Sequence, residues 1–217
     1  HLEIWYGVGG LGAIAHTVNP RLFPDQIAWI INHAGDRLIF VDLTFVPLVE
    51  KLVPALPAIE KVIVLTDAGH MPKTTLANAV PYETWLAEAD GDLAWKAFDE
   101  NTATGLCYTS GTTGDPKGVV YSHRSNLLHA MTVAQPDMLG ASARDVVMPL
   151  VPMFHANCWS LAHCVPMVGG ALVLPGARLD GASVHELLEA EKVTCAAAVP
   201  TVTTHLVILV GLRPAQS

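Results

Sequence analysis

Residues 108–123 read Tyr108-Thr-Ser-Gly-Thr-Thr-Gly-Asp-Pro-Lys-Gly-Val-Val-Tyr-Ser-His123, and this run decides the fold class of the chain. An apolar stretch at 104–108 leads into it, and a helical pattern begins near Ser122. Its glycines can adopt backbone angles closed to other residues, so the main chain can approach an anion closely. Hydroxyl groups and the ammonium of Lys117 add hydrogen-bond donors and positive charge. The run therefore predicts a loop that holds phosphate oxygens.

Two better-known loops share this composition but not this spacing. A Walker A loop requires Gly-Lys-Ser/Thr, whereas Lys117 follows Pro116 and precedes Gly118. A nucleophile elbow requires Gly-x-Ser-x-Gly, whereas Ser110 has Tyr108 two positions before it and a threonine two positions after it. A solvated linker would need neither the lysine nor the apolar strand. The loop therefore belongs to another class of phosphate site.

The run resembles the phosphate-binding signature of the adenylate-forming enzymes, which include acyl-CoA synthetases, luciferases and the adenylation domains of peptide synthetases. Pro149-Leu-Val-Pro-Met-Phe-His-Ala-Asn-Cys-Trp159 resembles a downstream segment of that superfamily. His16-Thr-Val-Asn-Pro-Arg-Leu-Phe-Pro24 resembles an upstream segment of its fatty-acyl and medium-chain branch. The resemblance implies ATP, Mg²⁺ and coenzyme A as cofactors. It also implies a fatty or medium-chain carboxylic acid as substrate.

The resemblance assigns roles to individual residues. The residues expected to cradle the β- and γ-phosphates of ATP are Thr109, Ser110, Gly111, Thr112, Thr113, Gly114 and Lys117. Thr112 or Thr113 is expected near Mg²⁺, and Lys117 and His155 are the candidate catalytic residues. His155 is expected beside the acyl carboxylate, with a loop histidine that binds nothing as the alternative. Trp159 is expected near the acyl tunnel, with plain core packing as its alternative.

Apolar strand-like runs alternate with amphipathic helical patterns along the chain. This alternation predicts an α/β fold with layered, mostly parallel sheets and helices on both faces. The resemblance implies part of an αβαβα N-terminal domain, with one subdomain portion at 1–100 and a second, carrying the loop, at 101–217. We also expect a helix over 157–165 and a capping box formed by Ser183 and Glu186.

A weaker signal lies near the start of the chain. Gly7-Val-Gly-Gly-Leu-Gly12 satisfies the dinucleotide fingerprint Gly-x-Gly-x-x-Gly. The fingerprint should follow a strand, but residues 1–6 read equally well as a helix. The acidic residue expected about twenty positions later is also misplaced, since Asp25 comes too early. Small residues that allow close helix packing are the preferred interpretation.

Composition limits the possible partners. The 217 residues are 51% apolar and 15% charged, with a net charge of -8, so the chain is globular and offers no basic face for nucleic acid or an anionic membrane. The apolar stretches at 146–177 and 193–212 contain prolines, which predicts no membrane-spanning helix. The cysteines lie in apolar contexts and predict free thiols and a cytoplasmic location: Cys107, Cys158, Cys164 and Cys195.

Several family segments are not found in this sequence. Tyr-Gly-x-Thr-Glu is not present, and the single Thr-Gly-Asp, Thr113-Gly114-Asp115, lies inside the glycine-rich loop, so no separate ribose-binding copy is found. The small C-terminal domain with its catalytic lysine is absent as well. We therefore expect a fragment of an acyl-CoA synthetase that is incomplete for adenylation alone and that forms homo-oligomers, or binds partners, through exposed apolar surface.

Two alternative functions stay open. One is an ATP-binding or interaction module without turnover, and the other is an ester or thioester hydrolase using Ser110 or Cys158.

Overall fold

The computed structural model describes residues 1–109 and 115–199. Short strands and helices alternate through this part of the chain. The strands are β1 (Ala15–Thr17), β2 (Leu38–Val41), β3 (Lys61–Val64), β4 (Ala79–Pro81), β5 (Ala103–Thr109), β6 (Lys117–Ser122), β7 (Val146–Pro149), β8 (Ala171–Leu172) and β9 (Cys195–Ala197). The α-helices are α1 (Leu2–Gly10), α2 (Pro24–Ala34), α3 (Val46–Leu52), α4 (Tyr82–Leu86), α5 (His123–Val133), α6 (Leu161–Val168) and α7 (Gly181–Ala190). Short 3₁₀ helices cover Leu43–Phe45, Val53–Ala55 and Ala68–His70.

The described strands form three small sheets, in the orders β1-β5-β6, β2-β3-β4 and β8-β7-β9. β3 pairs in parallel with both β2 and β4. β7 pairs in parallel with both β8 and β9, and β1 with β5. Parallel neighbours need a crossover. α3 lies in the connection from β2 to β3, whereas only a short 3₁₀ helix lies in the connection from β3 to β4. The prediction of an α/β fold with mostly parallel sheets is confirmed.

The chain divides into two compact units. One contains His1–Thr17, Phe98–Cys107 and the described residues from Val120 onward, and the other contains Val18–Ala97 and Tyr108–Val119. The predicted subdomain portions at 1–100 and 101–217 stay a prediction. Among the described residues, no helix combines the length and the apolar character needed to cross a bilayer.

Local signals set the bounds of α2. Pro24 occupies the first turn, where its missing N–H costs nothing, and its fixed φ suits a helix. Gly35 ends the helix in the left-handed conformation, with φ 72°. Ile27, Ile30 and Ile31 are buried, as expected for the apolar face of an amphipathic helix. Its own residues therefore set both ends of this helix.

The middle strand of each fully parallel sheet is almost entirely apolar. In β3, Val62, Ile63 and Val64 are completely buried, and in β7 Val147 and Met148 are almost as inaccessible. Parallel strands covered on both faces show such continuous apolar runs. The two compact units therefore have separate cores, one around β3 and one around β7.

Two sequence expectations about helices are wrong. The segment 157–165 is not one helix, because α6 begins only at Leu161. The Ser183 capping box does not form; Asp180 is the N-cap, and its carboxylate accepts a hydrogen bond from the Ser183 N–H. On α5, Ala130 and Val133 are buried, whereas the apolar side chains of Leu127, Leu128 and Met131 are exposed. Whether this exposed face leads to self-association stays a prediction.

One glycine of α1, Gly9, serves close packing. A Cβ on Gly9 would lie 2.7 Å from Thr104 Oγ1, whereas a Cβ on Gly7 would meet no atom within 4 Å. Threonine is stiff at χ1, so the hydroxyl cannot easily move away. Close packing against β5 therefore explains Gly9.

We expect Gly9→Ala to lower the free energy of unfolding by about 1–3 kcal/mol through overpacking. Gly7→Ala is the matched control in the same helix, and it should raise that free energy by about 0.5–1 kcal/mol, because alanine favours the helix. Urea unfolding followed by circular dichroism measures both. Equal effects of the two substitutions would contradict the packing role of Gly9.

The imidazole of His163 lies on α6 against α1. Its ring centroid is 5.3 Å from that of Trp5 and 5.9 Å from that of Tyr6. Burial lowers the pKa of His163, and the nearby His129 lowers it further. Its Nδ1 is buried and finds no hydrogen-bond partner within the described part of the chain. The folded protein therefore holds this side chain neutral.

Acid should consequently weaken the fold through His163. The unfolded side chain has a pKa near 6.5, so stability is complete above about pH 6.5 and falls as the pH drops toward the lower pKa of the folded state. We expect His163→Phe, which keeps an aromatic ring, to reduce the slope of unfolding free energy between about pH 7 and pH 5. An unchanged slope in urea titrations across that range would contradict this prediction.

Candidate functional site

The two ends of the glycine-rich loop lie side by side. β5 ends at Thr109, and its neighbour β6 begins at Lys117. The Thr109 hydroxyl donates a hydrogen bond to the Lys117 carbonyl, with 3.4 Å between Oγ1 and O. A connection over residues 110–116 is too short for a parallel crossover, so the two strands run antiparallel. The structure thus brings Thr109 and Lys117 together at the base of the loop.

The other predicted phosphate-binding residues lie outside the described residues: Ser110, Gly111, Thr112, Thr113 and Gly114. Their roles, and the Mg²⁺ contact assigned to Thr112 or Thr113, stay predictions. The Lys117 side chain is exposed, so its ammonium can meet a ligand that arrives from solvent. Across residues 1–109 and 115–199, no three His, Cys, Asp or Glu side chains are grouped as metal ligands would be.

An aromatic cluster holds the residue just before the loop. The Tyr108 hydroxyl lies 2.6 Å from Nδ1 of His33, on α2. The ring of Trp29 stacks on that of His33, with centroids 4.6 Å apart and an interplanar angle of 14°. Burial raises the pKa of Tyr108, and the charge of Asp36 raises it further. The phenol therefore stays protonated and fixes the start of the loop to α2.

The segment after His155 is a left-handed turn instead of the predicted helix. Residues 156–160 all have positive φ, from 46° at Ala156 to 62° at Ser160. An L-residue in this region costs about 1–2 kcal/mol, and only asparagine and aspartate adopt it readily among non-glycine residues. Asn157 is the single such residue in the turn. Surrounding contacts must therefore stabilise the turn.

The turn sorts its side chains between interior and surface. Asn157, Cys158 and Ser160 are buried. His155, at the start of the turn, is exposed, and Trp159 is 40% exposed. The two predicted substrate-binding residues are therefore presented by one turn, and plain core packing does not describe Trp159. Their contact with an acid stays a prediction.

The family can now be identified. A profile described as AMP-binding enzyme matches residues 1–216. The chain belongs to the AMP-binding enzyme family.

Curated relatives of this chain carry ligase names. The 3-methylmercaptopropionyl-CoA ligase of Ruegeria pomeroyi is 47% identical over 202 residues, which cover 93% of this chain and 38% of the relative. The medium-chain-fatty-acid–CoA ligase of Ectopseudomonas oleovorans is 46% identical over 202 residues, covering 93% of this chain and 37% of the relative. The chain therefore spans less than half the length of these relatives.

Solved structures show the same fold. A long-chain-fatty-acid-CoA ligase from Archaeoglobus fulgidus superposes with a TM-score of 0.81 at 22% identity, covering 96% of this chain and 39% of that one. A red-emitting luciferase from Phrixothrix hirtus gives 0.75 at 20% identity, covering 93% of this chain and 40% of that one. Both match the α/β architecture expected of an AMP-binding enzyme.

Cys158 has the wrong environment for a nucleophile. Its side chain is fully buried, and its Sγ donates to the Val151 carbonyl at 3.4 Å. Burial raises the pKa of its thiol to about 12. The thiolate, which is the reactive form, is then only about 10⁻⁵ of the population near neutral pH. The geometry therefore gives no support to a hydrolase that uses Cys158.

Sequence reasoning missed two positioning features of this site. Trp29 and His33 stand four residues apart on α2, so their shared face could have been read from the helical spacing. The hydrogen bond between His33 and Tyr108 could not be predicted from the sequence, since it joins positions 75 residues apart. The buried amide of Asn157 gave no periodic or motif signal at all.

Proposed function

We propose that this chain is part of an ATP-dependent ligase that joins a fatty or medium-chain carboxylic acid to coenzyme A. The observation that carries the proposal is the glycine-rich connection between β5 and β6, with Thr109 and Lys117 at its base. Relatives named as ligases for medium-chain, methylmercaptopropionyl and long-chain acids, 45–47% identical to the chain, support the acid class.

The proposed reaction has two halves. A carboxylate oxygen of the acid attacks the α-phosphorus of ATP, the bond between the α- and β-phosphates breaks, and acyl adenylate and pyrophosphate form. The thiol of coenzyme A, after losing its proton, then attacks the acyl carbon. A thioester forms, and AMP leaves with the electron pair of the broken acyl–oxygen bond.

The residues of the loop would act mainly by stabilising negative charge. In the first half, charge builds on the departing pyrophosphate, and fixed donors aimed at that charge lower the barrier. Lys117 and the loop hydroxyls would supply those donors, with backbone N–H groups made accessible by Gly111 and Gly114. Mg²⁺, bound through Thr112 or Thr113 and phosphate oxygens, would neutralise further charge.

The left-handed turn would serve the acid. Its exposed His155 would hydrogen-bond the carboxylate or the acyl oxygen, and Trp159 would line the path of the acyl chain. An indole offers apolar area for such a chain and an N–H at one edge. A thioether acid of the methylmercaptopropionyl type would fit the same surface, because sulfur contacts aromatic rings favourably.

The test is a product analysis on the full-length polypeptide that carries this sequence. It is incubated with ATP, Mg²⁺ and coenzyme A, together with acetate, butyrate, octanoate, palmitate or 3-methylmercaptopropionate in turn. We expect AMP, pyrophosphate and the acyl-CoA in equal amounts, with the highest kcat/KM for a medium-chain or thioether acid. Formation of ADP and phosphate, or no acid-dependent pyrophosphate from any of these acids, would refute the proposal.

Calorimetric titration with ATP and Mg²⁺ separates this ligase from a nucleotide-binding module. A module without turnover would bind the nucleotide but release no pyrophosphate when an acid is added. The cytoplasmic location and the association through apolar surface stay predictions beside this proposal.

A further inference from the structure

A buried amide joins the left-handed turn to its neighbours. The Asn157 side chain is only 4% exposed. Its Oδ1 accepts a hydrogen bond from Cys107 Sγ on β5 at 3.3 Å, and its Nδ2 donates to Asn126 Oδ1 on α5 at 3.3 Å. Cys107 Sγ in turn lies 3.3 Å from the Thr17 hydroxyl on β1. One polar network therefore links two strands, a helix and the turn.

Position 157 makes two separate demands on its side chain. The backbone has φ 51°, which excludes most residues but suits asparagine and glycine. The buried site needs both an acceptor and a donor, because a buried polar group left unpaired is costly. Asparagine meets both demands, glycine meets only the first, and glutamine meets only the second.

The side chains two positions away from Asn157 on either side are exposed to solvent. His155 and Trp159 lie two positions before and two positions after it. Any shift of the turn would displace both side chains, and small displacements of binding groups can reduce rates by about a hundredfold. The network therefore holds the surface on which the proposed acid would sit.

We propose that Asn157 is a positioning residue for the acid-binding side of the ligase, acting through His155 and Trp159. It does so by fixing the left-handed turn to β5 and α5. The expected effect on acid kinetics rests on the proposed function. The expected effect on the conformation of the turn rests on the hydrogen-bond network alone. It concerns recognition of the acid and leaves the contacts to ATP phosphates unchanged.

The kinetic test uses full-length variants and steady-state rates. We expect Asn157→Ala to lower kcat/KM for the acid by about tenfold to a hundredfold, with the KM for ATP within about twofold of its original value. Asn157→Gly should lie between Asn157→Ala and the unaltered protein, since it recovers the backbone but not the amide. Asn78→Ala is the control, because that amide also donates to a carbonyl, at 3.1 Å from Glu60 O, but in the other compact unit.

Variants of the partner residue distinguish a hydrogen bond from general packing. Asn126→Asp keeps an acceptor oxygen for the Asn157 amide and should stay near the unaltered rate. Asn126→Ala removes the acceptor and should reproduce part of the Asn157→Ala defect. The double variant should be no worse than Asn157→Ala alone, because both single changes break the same link.

Hydrogen exchange of peptides over 153–162 tests whether Asn157 anchors the left-handed turn, and it does not depend on turnover. We expect faster exchange at 156–160 in Asn157→Ala and Asn126→Ala, and no change in Asn126→Asp. Unchanged exchange would overturn the inference even if the ligase works. Equal losses for ATP and acid would also overturn it. Faster exchange in a protein that makes no acyl-CoA with any acid would instead refute the proposed function while leaving the anchoring role of Asn157 intact.

Discussion

Replacing Lys117 by alanine in the full-length form of the proposed ligase should lower kcat for acyl-adenylate formation by about 10²–10³-fold, the usual effect of removing one hydrogen-bond donor from a transition state. The exposed ammonium is the part of Lys117 that would meet the phosphates. The backbone carbonyl that accepts the Thr109 hydrogen bond remains in the variant, so the base of the loop is kept. Acid-dependent exchange of labelled pyrophosphate into ATP measures the loss.

Two further variants sharpen this experiment. Lys117→Arg keeps the charge but changes its shape, so it should recover only part of the rate. Lys51→Ala removes an exposed lysine from α3 and should leave the rate unchanged. A Lys117→Ala rate equal to that of Lys51→Ala would remove Lys117 from the proposed pyrophosphate site.

Replacing Ile63 by alanine should lower the free energy of unfolding by roughly 2–5 kcal/mol, through lost burial and the cavity that remains. Ile63 is completely inaccessible and lies in β3, with paired strands on both sides. Neither neighbour can close the gap without disturbing its own pairing. Urea unfolding monitored by circular dichroism gives the change.

Leu38→Ala provides the matched control for this cavity. Leu38 belongs to β2 of the same sheet, but it is 43% exposed. Its truncation removes as many carbon atoms from a site that solvent already reaches, so the loss should stay below about 1 kcal/mol. Similar losses at the two positions would mean that β3 is not the centre of this core.

Local sequence signals predicted the elements whose ends depend on their own residues. Pro24 and Gly35 delimit α2 because each restricts the backbone at its own position. The end of β2 has a similar local cause, since its apolar run stops where Asp42 begins a 3₁₀ turn. The base of the glycine-rich loop was also predictable, because the motif itself contains both Thr109 and Lys117.

Elements whose geometry depends on distant contacts were predicted poorly. Ser183 offered a plausible cap, but Asp180 competes with it three residues earlier and accepts the Ser183 N–H. The exposed face of α5 could not be read from periodicity, because apolar spacing does not tell which side packs. The left-handed turn contradicts the preference of Ala156 and Trp159 for right-handed backbone, so no local rule would place it there.

The positive φ angles of the left-handed turn suit D-amino acids better than the natural L-residues. At Ala156 the φ of 46° lies where the mirror-image amino acid finds its ordinary helical minimum. A D-alanine introduced at this position by peptide ligation would need no compensation from its surroundings, whereas the natural L-alanine does. In this turn the surrounding chain stabilises a left-handed backbone that L-residues disfavour. A short isolated peptide of the same sequence should therefore not adopt it.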